Sequence, residues 1–238
     1  MRVLGVIPAR GGSREVRRKN LRALAGRPLV AYVIDAAHGA RSLDRVIVST
    51  EDDEIAEVAR ALGAEVPFVR PAALARDEVS LIPVVRHAME FADAQGFRAD
   101  ILVSIQPTSP LLTGGDIDRA VGLLMETGCD SVMAVVRIQQ GHPYRALRVE
   151  DGQVRWLFPE AEGLLQRQDL PVLFRPTGGL YVRRRELLER WEGRDFALGA
   201  RCRALVLDAA AGLNIDTEAD LLLADGLLGK APGEARVG

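Results

Sequence analysis

Short apolar runs alternate along the chain with stretches in which apolar residues recur every three or four positions. The runs predict buried strands at residues 3–7, 46–49, 66–69, 101–105, 131–136, 179–182 and 204–207. The stretches with helical spacing lie at about residues 28–38, 50–62, 81–95, 116–127, 184–191 and 217–228. Strands separated by helices predict an α/β fold, with a mostly parallel sheet and helices on both faces.

The alternation breaks down between residues 137 and 175, where aromatic residues, prolines and arginines are mixed. Trp156 and Phe158 are spaced to share one face of a strand. Because no helical stretch is available to cover these aromatic side chains, we expect a small β-rich arm that packs against a second copy of the chain. The predicted organisation is one domain over residues 1–228, with 137–175 inserted as a dimerisation arm and 229–238 as a flexible tail.

Composition narrows the classes of protein that the chain can belong to. Its 238 residues are 48% apolar and 27% charged, and the net charge is −2, so no global field attracts nucleic acid or an anionic membrane. The first apolar run is too short for a signal peptide, and no run approaches the roughly 20 residues that cross a bilayer. We therefore expect a cytoplasmic protein. The 2 cysteines suit neither a disulfide framework nor a zinc site.

A glycine-rich, basic segment at residues 8–20 (PARGGSREVRRKN) directly follows the first predicted strand. Its glycines let backbone N–H groups approach a phosphate, and its cations can neutralise a triphosphate. These cations are Arg10, Arg14, Arg17, Arg18 and Lys19. The segment matches neither the P-loop motif nor the GxGxxG fingerprint, which argues against a nicotinamide-dependent oxidoreductase. The alternative is a solvated basic turn, as most charge runs are.

Two other polar segments, residues 106–110 and 208–216, also follow predicted strands. Ligands of such sheets bind beyond the carboxyl ends of the strands, so the three segments can converge on one edge. An anionic ligand would be held there by a local cluster of cations rather than by the net charge.

The segment IPARGGS at residues 7–13, followed by Lys19 and Asn20, resembles the opening motif of the CMP-sialic acid synthetases (acylneuraminate cytidylyltransferases). Further blocks agree in the same order. They are VST at 48–50, RPA at 70–72 with Asp77, QPTSPL at 106–111, FRP at 174–176 with Gly178 and Tyr181, and IDTE at 215–218. The resemblance covers about residues 3–222. It implies a Rossmann-like nucleotidyltransferase fold with an insertion that reaches across a homodimer.

The resemblance also implies roles for individual residues. The CTP phosphates would be contacted by Arg10, Gly11, Gly12, Ser13 and Lys19, and the cytidine by Asn20, Arg70 and the backbone near Ser80. The sugar would be contacted by Gln106, Tyr181 and Phe196. Arg145 and Arg167, on the arm, would face the sugar or the pyrophosphate in the partner subunit. Mg²⁺ or Mn²⁺ would be bound by Asp216 with Asn214, and the catalytic set is Arg10, Lys19 and Asp216.

The implied reaction is attack of the anomeric hydroxyl of an acidic nine-carbon sugar on the α-phosphorus of CTP, with release of pyrophosphate. Three positions depart from the family pattern: Asn214 stands where Asp is usual, Leu112 where Arg is usual and Thr177 where Asn is usual. Asn is a weaker ligand than Asp for a hard cation.

Each implied role has a structural alternative. Asp216 could cap the helix that follows, Gln106 could satisfy backbone groups in a proline-rich turn, and Tyr181 could be a core residue. Arg145 and Arg167 could be surface residues. At the level of the whole protein, the alternatives are a cytidylyltransferase for the eight-carbon sugar Kdo and a nucleotide-sugar-binding protein without catalysis. The Gly-Gly-Ser of the opening motif argues against the first, and the presence of Lys19 and Asp216 against the second.

Overall fold

A computed structural model of the chain describes residues 1–13, 15–164, 166–193 and 195–229. The tail predicted at 229–238 therefore lies, apart from Gly229, outside the described residues, as does Arg14 of the basic segment. No helix of the described part combines the length and the apolar character needed to cross a membrane.

The centre of the fold is a six-stranded sheet, accompanied by two short hairpins. The strands are β1 (Val3–Pro8), β2 (Ala23–Leu24), β3 (Arg27–Pro28), β4 (Arg45–Ser49), β5 (Ile101–Ile105), β6 (Ser131–Arg137), β7 (Leu147–Glu150), β8 (Gln153–Trp156), β9 (Phe174–Arg184) and β10 (Cys202–Leu207). The order in the large sheet is β10-β6-β9-β5-β1-β4. β2 pairs with β3, and β7 pairs with β8.

Only β9 runs against its neighbours in this sheet, pairing antiparallel with both β5 and β6. The other pairings are parallel, as the alternation of strands and helices predicts. β9 differs because the chain leaves β6 at Arg137 and returns at Phe174, which is the residue paired with Arg137. When the chain returns to the same edge of the sheet, the new strand runs antiparallel to the previous one. A helix that crosses over to the opposite edge would have given a parallel strand.

Helices cover both faces of the sheet. They are α1 (Leu29–His38), α2 (Asp53–Ala61), α3 (Leu81–Ala94), α4 (Gly114–Thr127), α5 (Arg185–Glu189) and α6 (Glu218–Leu228). Alternate residues of β1 divide between two cores: Val3 and Ile7 pack with α1, α2 and α4, whereas Leu4 and Val6 pack with α3 and α5. This is the period of two that a strand buried on both faces requires.

Two details of the predicted elements are wrong. Residues 66–69 form no strand, only isolated parallel bridges such as Thr50 to Val69. Pro67 explains this, because it cannot donate to a ladder. The helix predicted from about residue 50 begins instead at Asp53, and Asp52 caps it with a carboxylate that accepts from the Ile55 amide.

Residues 137–175 contain the β7–β8 hairpin, which turns through Asp151 and Gly152, both with positive φ. Two such residues are the requirement of the tight hairpin turn that matches strand twist. Phe158 does not share a strand with Trp156, because β8 ends at Trp156. The Phe158 ring lies instead beside Tyr144, with 5.4 Å between the ring centroids.

Candidate functional site

A polar cavity of about 320 Å³ opens at the carboxyl edge of the sheet, between the loops that follow β1 and β5 and the loop that precedes α6. Of the residues predicted to bind nucleotide, sugar or metal, those that line it are Arg10, Gly12, Ser13, Lys19, Asn20, Arg70, Ser80, Gln106, Asn214 and Asp216. The fold thus brings together positions that are up to about 200 residues apart in the chain.

The basic loop is held open by backbone contacts to the end of β4. The Ala9 amide donates to the Ser49 carbonyl at 2.9 Å, and the Gly11 amide donates to Glu51 Oε1 at 2.8 Å. A Cβ on Gly11 would clash with the Asp52 carboxylate unless that side chain moved, so this position favours glycine. Gly11 itself does not line the cavity; it lets the loop pass close to the start of α2.

Arg10 and Arg18 of the loop form ion pairs with acidic residues of the chain. Arg10 forms an ion pair of 2.6 Å with Asp77 on the cavity wall. Arg18 donates to both carboxylate oxygens of Asp52 at 3.1 Å and to Glu54 at 2.6 Å. These contacts, those to Asp52 first, raise the pKa of Arg18. Arg18 therefore fastens the loop to α2 while its own side chain stays largely exposed.

Lys19 joins the basic loop to the segment before α6. Its Nζ donates to the Ile215 carbonyl at 2.8 Å and lies 3.3 Å from Asp216 Oδ1. Asn214 Nδ2 donates to the other oxygen of Asp216 at 2.6 Å. The alternative role of Asp216 as a helix cap is excluded, because Thr217 caps α6 in a capping box with Asp220. The Asp216 carboxylate is 64% exposed and is left to face a ligand.

The two residues predicted to hold the cytidine, Asn20 and Arg70, have their donors engaged in supporting the loop. Asn20 Nδ2 donates to the Arg10 carbonyl at 2.8 Å. Arg70 is 3% exposed, and it donates to the hydroxyl of Ser49 at 3.1 Å and to the carbonyl of the same residue. Its Nη1 lies 3.7 Å from Glu51 Oε2. Burial lowers the pKa of Arg70, and Glu51 opposes that shift.

A second cavity of about 440 Å³ adjoins the first, and Ser80 and Gln106 line both. It is lined by Tyr181 and Phe196, which are predicted to contact the sugar. Tyr181 is buried, and Phe196 is 70% exposed. The remaining lining is mainly apolar, from Leu81, Ile82 and Trp191. Tyr181 is thus both a core residue and a cavity residue, and burial raises the pKa of its hydroxyl.

Arg145 and Arg167 lie on the arm and line neither of these cavities in the described chain. Arg145 ends a short 3₁₀ helix, Pro143–Arg145. Arg167 lines a separate cavity of about 390 Å³ with Arg137 and His142. Within a single chain, these two arginines therefore do not line the cavity that holds the residues predicted to bind the sugar.

Several charged residues of the site were given no role on the basis of the sequence. Glu51 and Asp77 position the loop through Gly11 and Arg10, and Arg76 lines the first cavity. Arg183 lines the second cavity and is almost completely buried. Asp77 lies within a block that resembles the family motif, so the sequence offered a signal for it. Arg183 is the first of three consecutive arginines after the apolar residues 180–182, and nothing in the sequence distinguishes it from the other two.

Comparison with known proteins identifies the family. Residues 4–187 match the family model described as Cytidylyltransferase. Pseudaminic acid cytidylyltransferase of Campylobacter jejuni is 31% identical over 222 residues, which are 93% of this chain and 94% of that protein. CMP-N,N'-diacetyllegionaminic acid synthase of Legionella pneumophila is 32% identical over 235 residues, covering 96% and 97% of the two chains.

A solved structure of CMP:2-keto-3-deoxy-manno-octonic acid synthetase complexed with CTP has a similar fold. Its TM-score is 0.73 at 18% identity, and the alignment covers 96% of this chain and 98% of that one. This likeness confirms the predicted Rossmann-like nucleotidyltransferase fold. The match to the family model and the two relatives above 30% identity show that the chain belongs to the cytidylyltransferase family, as its motifs indicate.

Proposed function

We propose that the protein transfers the CMP moiety of CTP to the anomeric hydroxyl of an acidic nonulosonate sugar and releases pyrophosphate. The observation that carries this proposal is the pair of adjoining cavities, one polar and one mainly apolar, that share Ser80 and Gln106. The triphosphate would occupy the polar cavity and the sugar the apolar one. The anomeric hydroxyl then meets the α-phosphorus near the shared wall.

In-line transfer of this kind depends on positioning and on charge stabilisation. Arg10, Ser13 and Lys19 line the polar cavity and would contact the phosphate oxygens. Lys19 is 16% exposed and is fixed at both Ile215 and Asp216, so its ammonium is held in place before the nucleotide arrives. Such a donor is best suited to charge that develops on the phosphates as the bond to pyrophosphate breaks.

Asp216 and Asn214 fit a hard divalent cation, which we propose to be Mg²⁺ or Mn²⁺. Asn214 Oδ1 is a buried oxygen without a hydrogen-bond partner in the described structure, and the neighbouring Asp216 carboxylate is exposed. Among the described residues, no group of three acidic, histidine or cysteine side chains is placed to hold a metal ion. Mg²⁺ commonly takes one or two carboxylates and completes its shell with phosphates and water. When bound, it would offset charge on the leaving pyrophosphate.

We also propose that the protein acts as a homodimer. The β7–β8 hairpin exposes apolar side chains, with Leu147 at 50%, Val149 at 67% and Val154 at 60%. Val149 and Val154 are directly opposite each other in the hairpin, so they form one continuous patch. An arm that buried this patch on a second copy could carry Arg145 and Arg167 to the partner's sugar cavity.

Pyrophosphate release from the purified protein tests the proposal. Each of CTP, ATP and GTP is supplied with a panel of nonulosonates and with the eight-carbon sugar Kdo. We expect release with CTP and a nonulosonate, and far less with a purine nucleotide, because a site that hydrogen-bonds one base leaves its own groups unpaired with another. Equal rates with ATP would refute a cytidylyltransferase. Release with Kdo alone would favour the Kdo enzyme, and CTP binding without release would favour the non-catalytic protein.

A further inference from the structure

Arg183 is a charged residue in the wall of the apolar cavity. It lies on β9 two positions after Tyr181, so both side chains project from the same face of the sheet. It is 1% exposed, and its guanidinium carbon lies 4.5 Å from the centre of the Tyr181 ring. Its Nε donates to the Phe196 carbonyl at 3.1 Å and its Nη1 to the Ser104 hydroxyl at 3.2 Å.

The charge of Arg183 has no counter-ion within the described chain, where the acceptors of its hydrogen bonds are the neutral oxygens of Phe196 and Ser104. Asp195 lines the same cavity, but its Oδ1 accepts from the Ala197 amide. Burial lowers the pKa of Arg183 to about 10, so the group is still charged at neutral pH. A buried charge without a partner is unfavourable for folding, and an apolar residue of similar size would suit this position better.

Arg185, two residues further along, shows the contrast. It is also buried, but it donates to Asp93 at 2.9 Å and to Glu189 at 2.6 Å, and it lines neither cavity. The hydrogen bonds to Asp93 are the largest of the effects that raise the pKa of Arg185. Arg185 therefore has a role within the fold, whereas the role of Arg183 points to a ligand.

The position of Arg183 indicates which part of a sugar it would meet. In the β5–β9 register, Ser104 pairs with Tyr181 and Leu102 pairs with Arg183, whereas Gln106 lies beyond the end of β5. The guanidinium, which contacts Ser104, thus lies deeper than the shared wall at Gln106. If the anomeric carbon sits at that wall, the distal substituents of the sugar reach Arg183.

We propose that Arg183 is a specificity-determining residue that donates a hydrogen bond to the carbonyl oxygen of a distal acylamido group, and that the substrate is a nonulosonate with two acylamido groups. This rests on the proposed function. An acyl group combines an apolar methyl, which matches Leu81, Ile82 and Trp191, with a strong acceptor, which matches a guanidinium. A hydroxylated tail would instead bury several hydroxyls against apolar side chains, which is costly.

The test compares kcat/KM for pyrophosphate release in the wild type and Arg183→Met, with three sugars that carry two, one or no acylamido groups. We expect the wild type to prefer the diacylamido sugar. Arg183→Met should lower kcat/KM for that sugar by about ten- to a hundredfold, the range for a hydrogen bond to a charged donor. The decrease in kcat/KM should come from a higher KM for the sugar rather than from a lower kcat. The preference over the monoacylamido sugar should largely disappear.

Two outcomes of these kinetics would overturn the inference. An equal loss with all three sugars would assign Arg183 to the carboxylate that they share, and an unchanged preference would remove it from recognition. If the wild type releases no pyrophosphate with any sugar, the proposed function fails. The rise in melting temperature on adding the diacylamido sugar then still tests Arg183: a rise in the wild type that Arg183→Met loses supports the contact, and equal or absent rises contradict it.

Melting temperature without ligand separates binding from folding. Arg183→Met removes an unpaired buried charge, so we expect its melting temperature to stay the same or to rise. Arg185→Met is the matched control: it removes an ion-paired arginine, so we expect a lower melting temperature with the sugar preference intact. A fall in melting temperature for Arg183→Met with an unaltered preference would show that Arg183 is structural.

Discussion

The polar and the apolar cavity differ in how their charged side chains are neutralised. Around the polar cavity, cations have partners before any ligand is bound, as Arg10 has in Asp77 and Lys19 in Asp216. In the apolar cavity, Arg183 is buried with neutral acceptors alone in the described chain. The first arrangement fixes the conformation of the basic loop before a highly charged ligand binds. The phosphates of that ligand can then replace the carboxylates as partners of the cations. The second arrangement leaves the Arg183 guanidinium as a strong hydrogen-bond donor for a ligand group that contains an acceptor.

The largest effect that tests this comparison is expected from Lys19→Ala. If Lys19 stabilises charge that develops in the transition state, kcat should fall by about a hundred- to a thousandfold, with a smaller change in the KM for CTP. The measurement is steady-state kinetics of pyrophosphate release at saturating sugar. A rise in KM with kcat preserved would reduce Lys19 to an anchor between the basic loop and the segment before α6.

The two cavities differ in how well they could be predicted from the sequence, because their residues are spaced differently along the chain. Residues 10–20 form one continuous motif after β1, so their chemistry could be seen in the sequence. The strand predicted at 101–105 agrees with β5 in both bounds, because an apolar run between turns has few other interpretations. These features depend on neighbours in sequence.

The apolar cavity is formed by residues that are distant from one another in sequence. Its lining could therefore be predicted only in part. Its wall comes from the start of α3, from β9, and from Trp191, Gly193, Asp195 and Phe196. The antiparallel direction of β9 follows from where the chain returns after the arm, which local periodicity does not encode. Arg183 could be recognised as unpaired only once Ser104 and Phe196 were placed beside it.

The next largest effect should come from breaking the proposed dimer. Val149→Asp places a charge in the exposed patch of the β7–β8 hairpin, where burial against a second copy would be unfavourable. We expect monomers by light scattering at micromolar concentration, and a clear loss of activity if the partner's arginines complete the apolar cavity. Leu222→Asp is the matched control, since Leu222 is 75% exposed and lies on α6, which is not part of the arm. Monomeric wild-type protein with full activity would contradict the role of the arm.

A smaller effect is expected from Arg18→Ala, which loosens the basic loop without removing a group from the cavity lining. The Arg18 side chain and its contact to Glu54 are exposed, and its contacts to Asp52 are partly buried, so the loss should be modest and should depend on salt. We expect the KM for CTP to rise by about two- to fivefold, with little change in kcat. A fall in kcat as large as that of Lys19→Ala would show that Arg18 contacts the phosphates directly.

The smallest effect concerns the metal, and it should distinguish the two residues before α6. Asn214 presents a neutral oxygen beside Asp216, and a carboxylate there would bind a hard cation more tightly. Asn214→Asp should therefore lower the Mg²⁺ concentration that gives half-maximal activity by a few-fold. The same substitution places a second negative charge next to Asp216, so without metal it should lower the melting temperature, and Mg²⁺ should restore it. If neither the Mg²⁺ dependence nor the Mg²⁺-induced rise in melting temperature changes, Asn214 does not bind the metal, and its hydrogen bond to Asp216 serves only to orient that carboxylate.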